Sequence, residues 1–223
     1  MSDKYVYPGT EVLINKFNIK NSEELVEVER RLTSLKYQDI REGKIKINKT
    51  FDYEHLKSLH KELFKDLYDW AGKERTVDIS KSNTLFCRAM FIEEEARRIF
   101  NNLKKDNFFK DIKDKSEFSK KLGQLFLDIN MLHPFREGNG RSQRLFIGDL
   151  AIENGYYLEW NNIPKEEMIQ MSKNDNVKEV AKIFKENLKE VNQDLKIQNQ
   201  LVQKIQARRK SKEQNINKGL TRK

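Results

Sequence analysis

Apolar residues recur at steps of three and four along most of this chain, which is the spacing of an amphipathic α-helix. Two such stretches are separated by a short polar segment. The first contains Phe118, Leu122, Leu125, Phe126, Ile129 and Leu132, and the second contains Leu145, Phe146, Leu150 and Ile152. Gly155 is expected to end the second helix, because glycine tolerates the left-handed backbone of a C-cap. The same spacing predicts helices at about 22–35, 52–70, 92–103 and 165–174, and therefore an all-α fold.

Strand propensity dominates in one place only, at residues 76–87. Positions 76–80 alternate between polar and apolar side chains, positions 81–83 are turn-forming, and positions 84–87 return to strand-forming types. A hairpin of this length is marginally stable alone. The pattern therefore predicts a small β-hairpin that lies against the helical body.

From Val177 onward the apolar positions follow a heptad-like seam of Phe184, Leu188, Val191, Leu195, Val202 and Ile205. This seam predicts one long helix, and it leaves open whether the helix docks on its own domain or on another chain. The predicted organisation is an N-terminal helical segment at 1–50, a central domain at 51–190 and a basic helical tail at 191–223.

Charge and composition narrow the classes of function. Hydrophobic residues make up 37% and charged residues 35% of the 223 residues, and no apolar run approaches the length of a membrane span. The single cysteine, Cys87, and an opening without an apolar leader favour a reducing, cytoplasmic setting. The net charge of +9 is concentrated in the tail, so a solvated terminus is favoured over a nucleic-acid reader. We expect no membrane partner and no nucleic acid.

Residues 133–144, which read HPFREGNGRSQR, join the two central helices. Gly138 and Gly140 would permit the positive φ angles of a loop that turns its N–H groups toward an anion. Arg141 and Arg144 then lie on one face of the next helix, at the end where the helix dipole disfavours cations. A bound phosphate would explain both arginines, because guanidinium groups match phosphate oxygens.

Two residues of the same loop could supply chemistry. His133 has an ordinary pKa near neutrality and can accept a proton from an attacking hydroxyl. Glu137 is a hard oxygen ligand that suits Mg²⁺ shared with phosphate groups. Together these residues predict a phosphoryl- or nucleotidyl-transfer site. His55 and His60 have no third ligand at metal-site spacing, and we interpret them as structural.

The loop resembles the motif of the Fic family, HxFx(D/E)GNGRxxR, with every defined position filled. Residues 63–72 look like the helix that precedes the family's flap, residues 75–87 look like the flap hairpin, and residues 7–10 are similar to the family's N-terminal opening. The resemblance covers about residues 5–175. It implies a Fic-fold helical bundle with a small β-hairpin flap.

The function implied by the resemblance is protein adenylylation, in which AMP passes from ATP to a hydroxyl side chain of a target protein. His133 would be the catalytic base and Glu137 the Mg²⁺ ligand, while Arg141 and Arg144 would hold the β- and γ-phosphates. The side-chain amide of Asn139 would help to stabilise charge on the transferred phosphate. The implied ATP-binding residues are Asn130, Arg136, Glu137, Gly138, Asn139, Gly140, Arg141, Ser142 and Arg144, with Ser82 and Asn83 from the flap.

The resemblance also implies partners. The target protein would dock along the flap at 76–87 by strand addition. Many family members carry an inhibitory motif, (S/T)xxxE(G/N), whose glutamate pairs with the second motif arginine. In this chain, no Glu that precedes Gly or Asn has Ser or Thr four positions before it, so the sequence contains no copy of the inhibitory motif. Either the enzyme is not inhibited in this way, or a small separate antitoxin supplies the inhibitory helix. We favour the antitoxin, because unrestrained adenylylation would harm the cell that makes the enzyme. The resemblance further implies a bacterial toxin, or an effector translocated into another cell.

Three alternatives remain at this point. The phosphate-transferring Doc branch typically has Lys where Gly140 stands, which favours AMP as the group transferred. A phosphocholine donor stays open, because the motif handles the diphosphate rather than the base. A non-catalytic adaptor that uses the basic tail is the third alternative, and an intact pair of His133 and Glu137 argues against it.

Overall fold

The computed structural model describes residues 3–81, 84–173 and 176–191. Its helices are α1 (Ser22–Arg41), α2 (Tyr53–Phe64), α3 (Ile92–Lys105), α4 (Lys115–Leu132), α5 (Asn139–Glu153), α6 (Lys165–Lys173) and α7 (Val177–Asn187). Its strands are β1 (Ser80–Lys81), β2 (Thr84–Leu85), β3 (Tyr156–Leu158) and β4 (Leu188–Glu190). The predicted mostly helical fold with a small hairpin is confirmed. Among the described residues, no helix combines the length and the apolar character needed to cross a membrane.

Side-chain caps set where several helices begin. Asn21, Asp52 and Asp114 each accept a hydrogen bond from the N–H three residues ahead, at 2.8–2.9 Å. These caps satisfy donors that have no partner inside the helix. Two predicted ends were wrong. Helix α1 continues past position 35 to Arg41, and α2 ends at Phe64 rather than at position 70.

Helix α4 is the centre of the molecule. It packs against α3, α5 and α7, and α5 packs in turn against α2. The predicted apolar face of α4 is almost fully buried, with Phe118, Leu122, Leu125, Phe126, Ile129 and Leu132 at most 4% exposed. Removing each large apolar side chain from water stabilises the fold by about 1.5–3 kcal/mol. Because α4 also packs against α5, this burial holds both ends of the loop at 133–138 in place.

The hairpin is shorter than predicted. Its two strands have two residues each and pair antiparallel, with Ser80 opposite Leu85 and Lys81 opposite Thr84. Residues 82 and 83, which join the strands, lie outside the described residues. The residues on either side, 76–79 and 86–87, are irregular chain. The N–H of Thr76 donates to the Tyr5 hydroxyl, and the N–H of Cys87 donates to the Met131 carbonyl of α4.

The long helix predicted from Val177 was wrong beyond Asn187. Leu188–Glu190 is a strand that pairs with β3, and the Leu188 side chain is fully buried. Because the pairing partner is distant in sequence, tertiary contact overrides the local helical pattern there. The rest of the predicted tail, from residue 192, lies outside the described residues. The division into 1–50, 51–190 and 191–223 stays a prediction.

Candidate active site

The loop between α4 and α5 has two left-handed residues. His133 ends α4 with φ 41° and ψ 59°, and Gly138 precedes α5 with φ 82°. A Cβ atom at Gly138 would lie 2.2 Å from the ring of Phe64, so only glycine fits. The predicted positive φ at Gly140 was wrong. Gly140 lies in the first turn of α5, where the close approach of a Cβ is to the side chain of Arg144 at 3.4 Å.

The loop is closed from inside by Asn139. Its side-chain oxygen accepts from the N–H of Phe135 at 2.8 Å, and its side-chain nitrogen donates to the Phe135 carbonyl at 2.7 Å. The side chain is 6% exposed. The resemblance predicts that this amide contacts phosphate, whereas in the structure both of its polar atoms form hydrogen bonds with the loop backbone. The N–H groups of the first turn of α5 remain, and these have no carbonyl inside the helix to bind.

A buried histidine of α2 packs against the loop and forms a hydrogen bond with its backbone. The His60 ring stacks on Phe135 with centroids 3.8 Å apart. Its Nδ1 accepts from the N–H of Gly72 at 2.9 Å, so Nε2 carries the proton and donates to the Glu137 carbonyl at 2.9 Å. Burial lowers the pKa of His60 to about 3. His60 is therefore a neutral structural residue, as its sequence context indicated.

His133 is held at one edge and on one face. Its Nδ1 lies 3.0 Å from the carbonyl oxygen of Asn130, which can only accept, so Nδ1 carries the proton. The lone pair of the neutral ring is then on Nε2, the atom that a general base would use. The ring of Phe86 stacks on the imidazole, with centroids 3.7 Å apart and planes at 14°. Sequence reasoning assigned no role to Phe86.

Arg75 joins the hairpin to the histidine loop, and sequence reasoning missed it as well. The residue is 2% exposed. Its guanidinium donates to the carbonyl oxygens of His133 at 2.8 Å, Val77 at 2.7 Å and Cys87. Its backbone N–H donates to the Pro134 carbonyl at 2.8 Å. Burial lowers the pKa of Arg75, and the nearby Cys87 and Asp78 offset that shift only in part. The only sequence signal was an arginine at the start of the flap-like stretch at 75–87.

Glu137 is the most open of the polar residues in the loop, with its side chain 46% exposed. Its Oε1 accepts from the N–H of Gly138 at 2.8 Å and lies 3.4 Å from Arg141 Nη2. Across the described residues there is no group of three or more His, Cys, Asp or Glu side chains that could hold a metal ion. One exposed carboxylate fits a metal that takes its other ligands from phosphate and water.

The two motif arginines differ in their surroundings. Arg141 donates to Glu29 Oε1 at 2.5 Å and to Thr33 Oγ1 at 3.0 Å, both on α1. The guanidinium of Arg144 has no hydrogen bond or ion pair with any residue that the structure describes. Burial lowers the pKa of Arg144; the nearby Tyr37 opposes that shift, and the charge of Arg141 adds to it. A partly buried guanidinium without a counterion is suited to hold an anion.

Of the other predicted site residues, some form hydrogen bonds or ion pairs within the protein and two lie outside the described residues. The backbone of Asn130 orients His133, as described above. Ser142 is fully buried, and its hydroxyl donates to the carbonyls of Asn139 at 3.0 Å and Gly138 at 3.3 Å. The Arg136 guanidinium forms an ion pair with Asp3 of the N-terminal segment, with N–O distances of 2.6 and 2.9 Å. The predicted nucleotide ligands at positions 82 and 83 fall outside the described residues.

Several known proteins are similar to this chain in sequence. The sequence model of the Fic/DOC family matches residues 50–150. The Escherichia coli K12 protein named "Probable protein adenylyltransferase Fic" is 35% identical over 164 residues, which cover 74% of this chain and 80% of that protein. The protein adenylyltransferase VbhT of Bartonella schoenbuchensis is 39% identical over 171 residues, which cover 77% of this chain. The chain spans only 35% of the length of VbhT.

A solved structure gives the same fold. The crystal structure of the effector protein BepC from Bartonella tribocorum, with bound AMPPNP, superposes with a TM-score of 0.76 at 24% identity. The match covers 83% of this chain and 96% of that one. Identity at this level supports the fold rather than the activity. With the family match, the E. coli relative and the filled motif at 133–144, the chain belongs to the Fic/DOC family.

Proposed function

We propose that this chain is a protein adenylyltransferase that transfers AMP from ATP to a hydroxyl side chain of another protein. The observation that carries the proposal is the hydrogen bond between His133 Nδ1 and the Asn130 carbonyl at 3.0 Å. Because the carbonyl can only accept, Nδ1 donates and Nε2 is the nitrogen that can take a proton. The same loop leads into the N-terminus of α5, an end of a helix that suits phosphate. The names of the E. coli and B. schoenbuchensis relatives support the same activity.

In the proposed reaction the hydroxyl oxygen of the target attacks the α-phosphorus of ATP. The bond from the α-phosphorus to the bridging oxygen breaks, and pyrophosphate leaves. The proton of the hydroxyl passes to His133 Nε2, so the ring becomes an imidazolium whose positive charge is shared by both nitrogens. The carbonyl of Asn130 stabilises that charge by accepting from Nδ1–H.

The phosphates would bind where α5 begins. The N–H groups of Asn139 and Gly140 and the dipole of the helix favour negative charge there. Arg144, which has no partner in the described part of the chain, would hold the γ-phosphate and so fix the direction in which ATP lies. Arg141 would contact the β-phosphate, and it would have to share its guanidinium between that phosphate and Glu29.

We propose that Glu137 is the protein ligand of a Mg²⁺ ion that enters with ATP. Its exposed carboxylate fits a metal that needs only one protein oxygen. When bound, such an ion neutralises charge on the phosphates of the leaving group. Ser82, Asn83 and Arg136 remain predicted nucleotide ligands. Of these, Arg136 would have to release Asp3 before it could reach ATP.

Two protein partners complete the proposal. A target would add a strand to the hairpin, whose short strands leave backbone groups for pairing. A separate small antitoxin would insert a glutamate at Arg144, because the chain has no inhibitory motif of its own. Tyr37 of α1 is among the groups close to Arg144, so the N-terminal helix would border that docking position. We propose that the protein acts as a bacterial toxin in the cytoplasm or as a translocated effector.

Labelled nucleotides test the activity. The protein is incubated with α-labelled or γ-labelled ATP and a cell lysate, with His133→Ala as the matched control. We expect label on protein from α-labelled ATP only, and none with the variant. Label from γ-labelled ATP would mean phosphate transfer instead. No label from either nucleotide would contradict AMP transfer and favour a different donor or a binding role.

A further inference from the structure

We propose that Phe86 is a positioning residue for the transfer reaction, because its ring holds the His133 imidazole in the plane that aims Nε2 at the hydroxyl. This inference rests on the proposed function. Phe86 follows β2 directly and is 6% exposed. Its ring lies parallel to the imidazole at a centroid distance of 3.7 Å. The hairpin therefore contacts the catalytic base itself, in addition to any role in docking a target.

The hydrogen bond from Nδ1–H to the Asn130 carbonyl restrains the edge of the His133 ring that carries Nδ1. The terminal χ2 torsion of histidine is broad, so the torsion alone does not set the plane of the ring. An aromatic ring stacked flat on one face restricts that plane. Phe86 thereby completes the orientation of Nε2 that the hydrogen bond begins.

Phe86 can do this because its own backbone is fixed on the C-terminal side. The N–H of Cys87 donates to the Met131 carbonyl at 2.9 Å, and the Cys87 carbonyl accepts from Arg75. The same guanidinium holds the carbonyl of His133 at 2.8 Å. Arg75 thus connects the backbone of the stacking residue to the backbone of the base. The root of the hairpin and the end of α4 act as one rigid unit.

The test compares two Phe→Leu variants. Phe86→Leu removes the stacked ring, and Phe118→Leu makes the same change at a fully buried position at the other end of α4, about 20 Å away. The rate measured is AMP transfer from ATP to water, which needs the base but no target protein. We expect Phe86→Leu to lower kcat by about 10- to 100-fold, the effect of a small misplacement of a catalytic group. KM for ATP should change by less than about two-fold, since the stacking partner of Phe86 is the base rather than a phosphate-binding residue.

Phe118→Leu should lose stability to a similar degree and keep its kcat, which separates positioning from general loss of folding. Phe86→Tyr should restore most of the rate, because it restores an aromatic face. An unchanged kcat in folded Phe86→Leu would overturn the proposal, as would an equal loss in Phe118→Leu.

NMR of the histidine rings provides a readout that does not depend on activity. The ring of Phe86 should shift the His133 ring protons upfield, and this shift should vanish in Phe86→Leu and persist in Phe118→Leu. If the wild type shows the shift but transfers no AMP, the proposed function fails while the stacking stands. If the wild type is active and lacks the shift, the positioning role fails while the function stands.

Discussion

Acidification should destabilise this fold well above the pH at which its carboxylates titrate, because His60 is buried in a neutral form. Its pKa is about 3 in the folded protein and 6.5 in an ordinary, solvated setting. Since the folded state has the lower pKa, the unfolded chain binds the proton more tightly. The contribution of neutral His60 to the free energy of unfolding is therefore fully present above pH 6.5, and it is lost as the pH falls from 6.5 toward 3.

The size of the effect follows from these two values. At pH 5 the unfolded chain gains about 2 kcal/mol from protonation of this one histidine, while the folded state gains almost nothing. The figure depends on the pKa of the unfolded chain and hardly on the folded value, because pH 5 lies well above 3. Protonation of His60 would disturb the candidate active site, since His60 donates a hydrogen bond to the backbone of Glu137 and stacks on Phe135.

The assay is denaturant unfolding at pH 8 and pH 5, for the wild type and for His60→Gln. The glutamine amide can still donate to the Glu137 carbonyl but does not titrate. We expect the difference in unfolding free energy between the two pH values to be about 2 kcal/mol smaller in the variant. His55, His133 and all carboxylates are common to both proteins, so their contributions cancel. The same pH dependence in both proteins would refute the reasoning, as would an NMR titration that places the pKa of His60 above 5.

Three further changes test the loop and its charges. Gly138→Ala should cost several kcal/mol of stability and abolish activity, because a Cβ would overlap an aromatic ring of α2 at 2.2 Å. Gly140→Ala should fold normally, because its Cβ would lie 3.4 Å from a flexible side chain. Thermal unfolding distinguishes the two variants, and equal melting temperatures would contradict the geometry. Glu29→Gln removes a carboxylate that competes with phosphate for Arg141, so calorimetry should show ATP binding tighter by about five-fold, and weaker binding would argue that the pair prepares the site. Glu137→Gln should lower activity and recover partly at high Mg²⁺, and an unchanged metal dependence would exclude its role as a ligand.

Local rules explain why so much of the fold could be predicted. The helix starts at Asn21 and Asp52 follow from side chains that cap their own helices, and the apolar face of α4 follows from its spacing. The loop at 133–144 was recognisable for the same reason. Its chemistry depends on residues within twelve positions, where the sequence order already fixes proximity.

Contacts between distant residues account for what could not be predicted. The strand at Leu188–Glu190 forms only because β3 lies beside it, and its own residues continue a helical pattern. The pairing of Glu29 with Arg141 joins positions 112 residues apart. Phe86 and Arg75 gave only strand and charge signals, and their roles follow from packing against His133 that no local pattern specifies.

The most direct test of the central claim is the mass of a modified protein. The wild type and His133→Ala are incubated with ATP, Mg²⁺ and a protein that accepts label, and the intact product is weighed by mass spectrometry. The account predicts a gain of one AMP group that requires His133, with a residual rate in the variant below about a hundredth of the wild-type rate, as expected for loss of a general base. A gain of a single phosphate, or an AMP gain that proceeds equally well without His133, would contradict it.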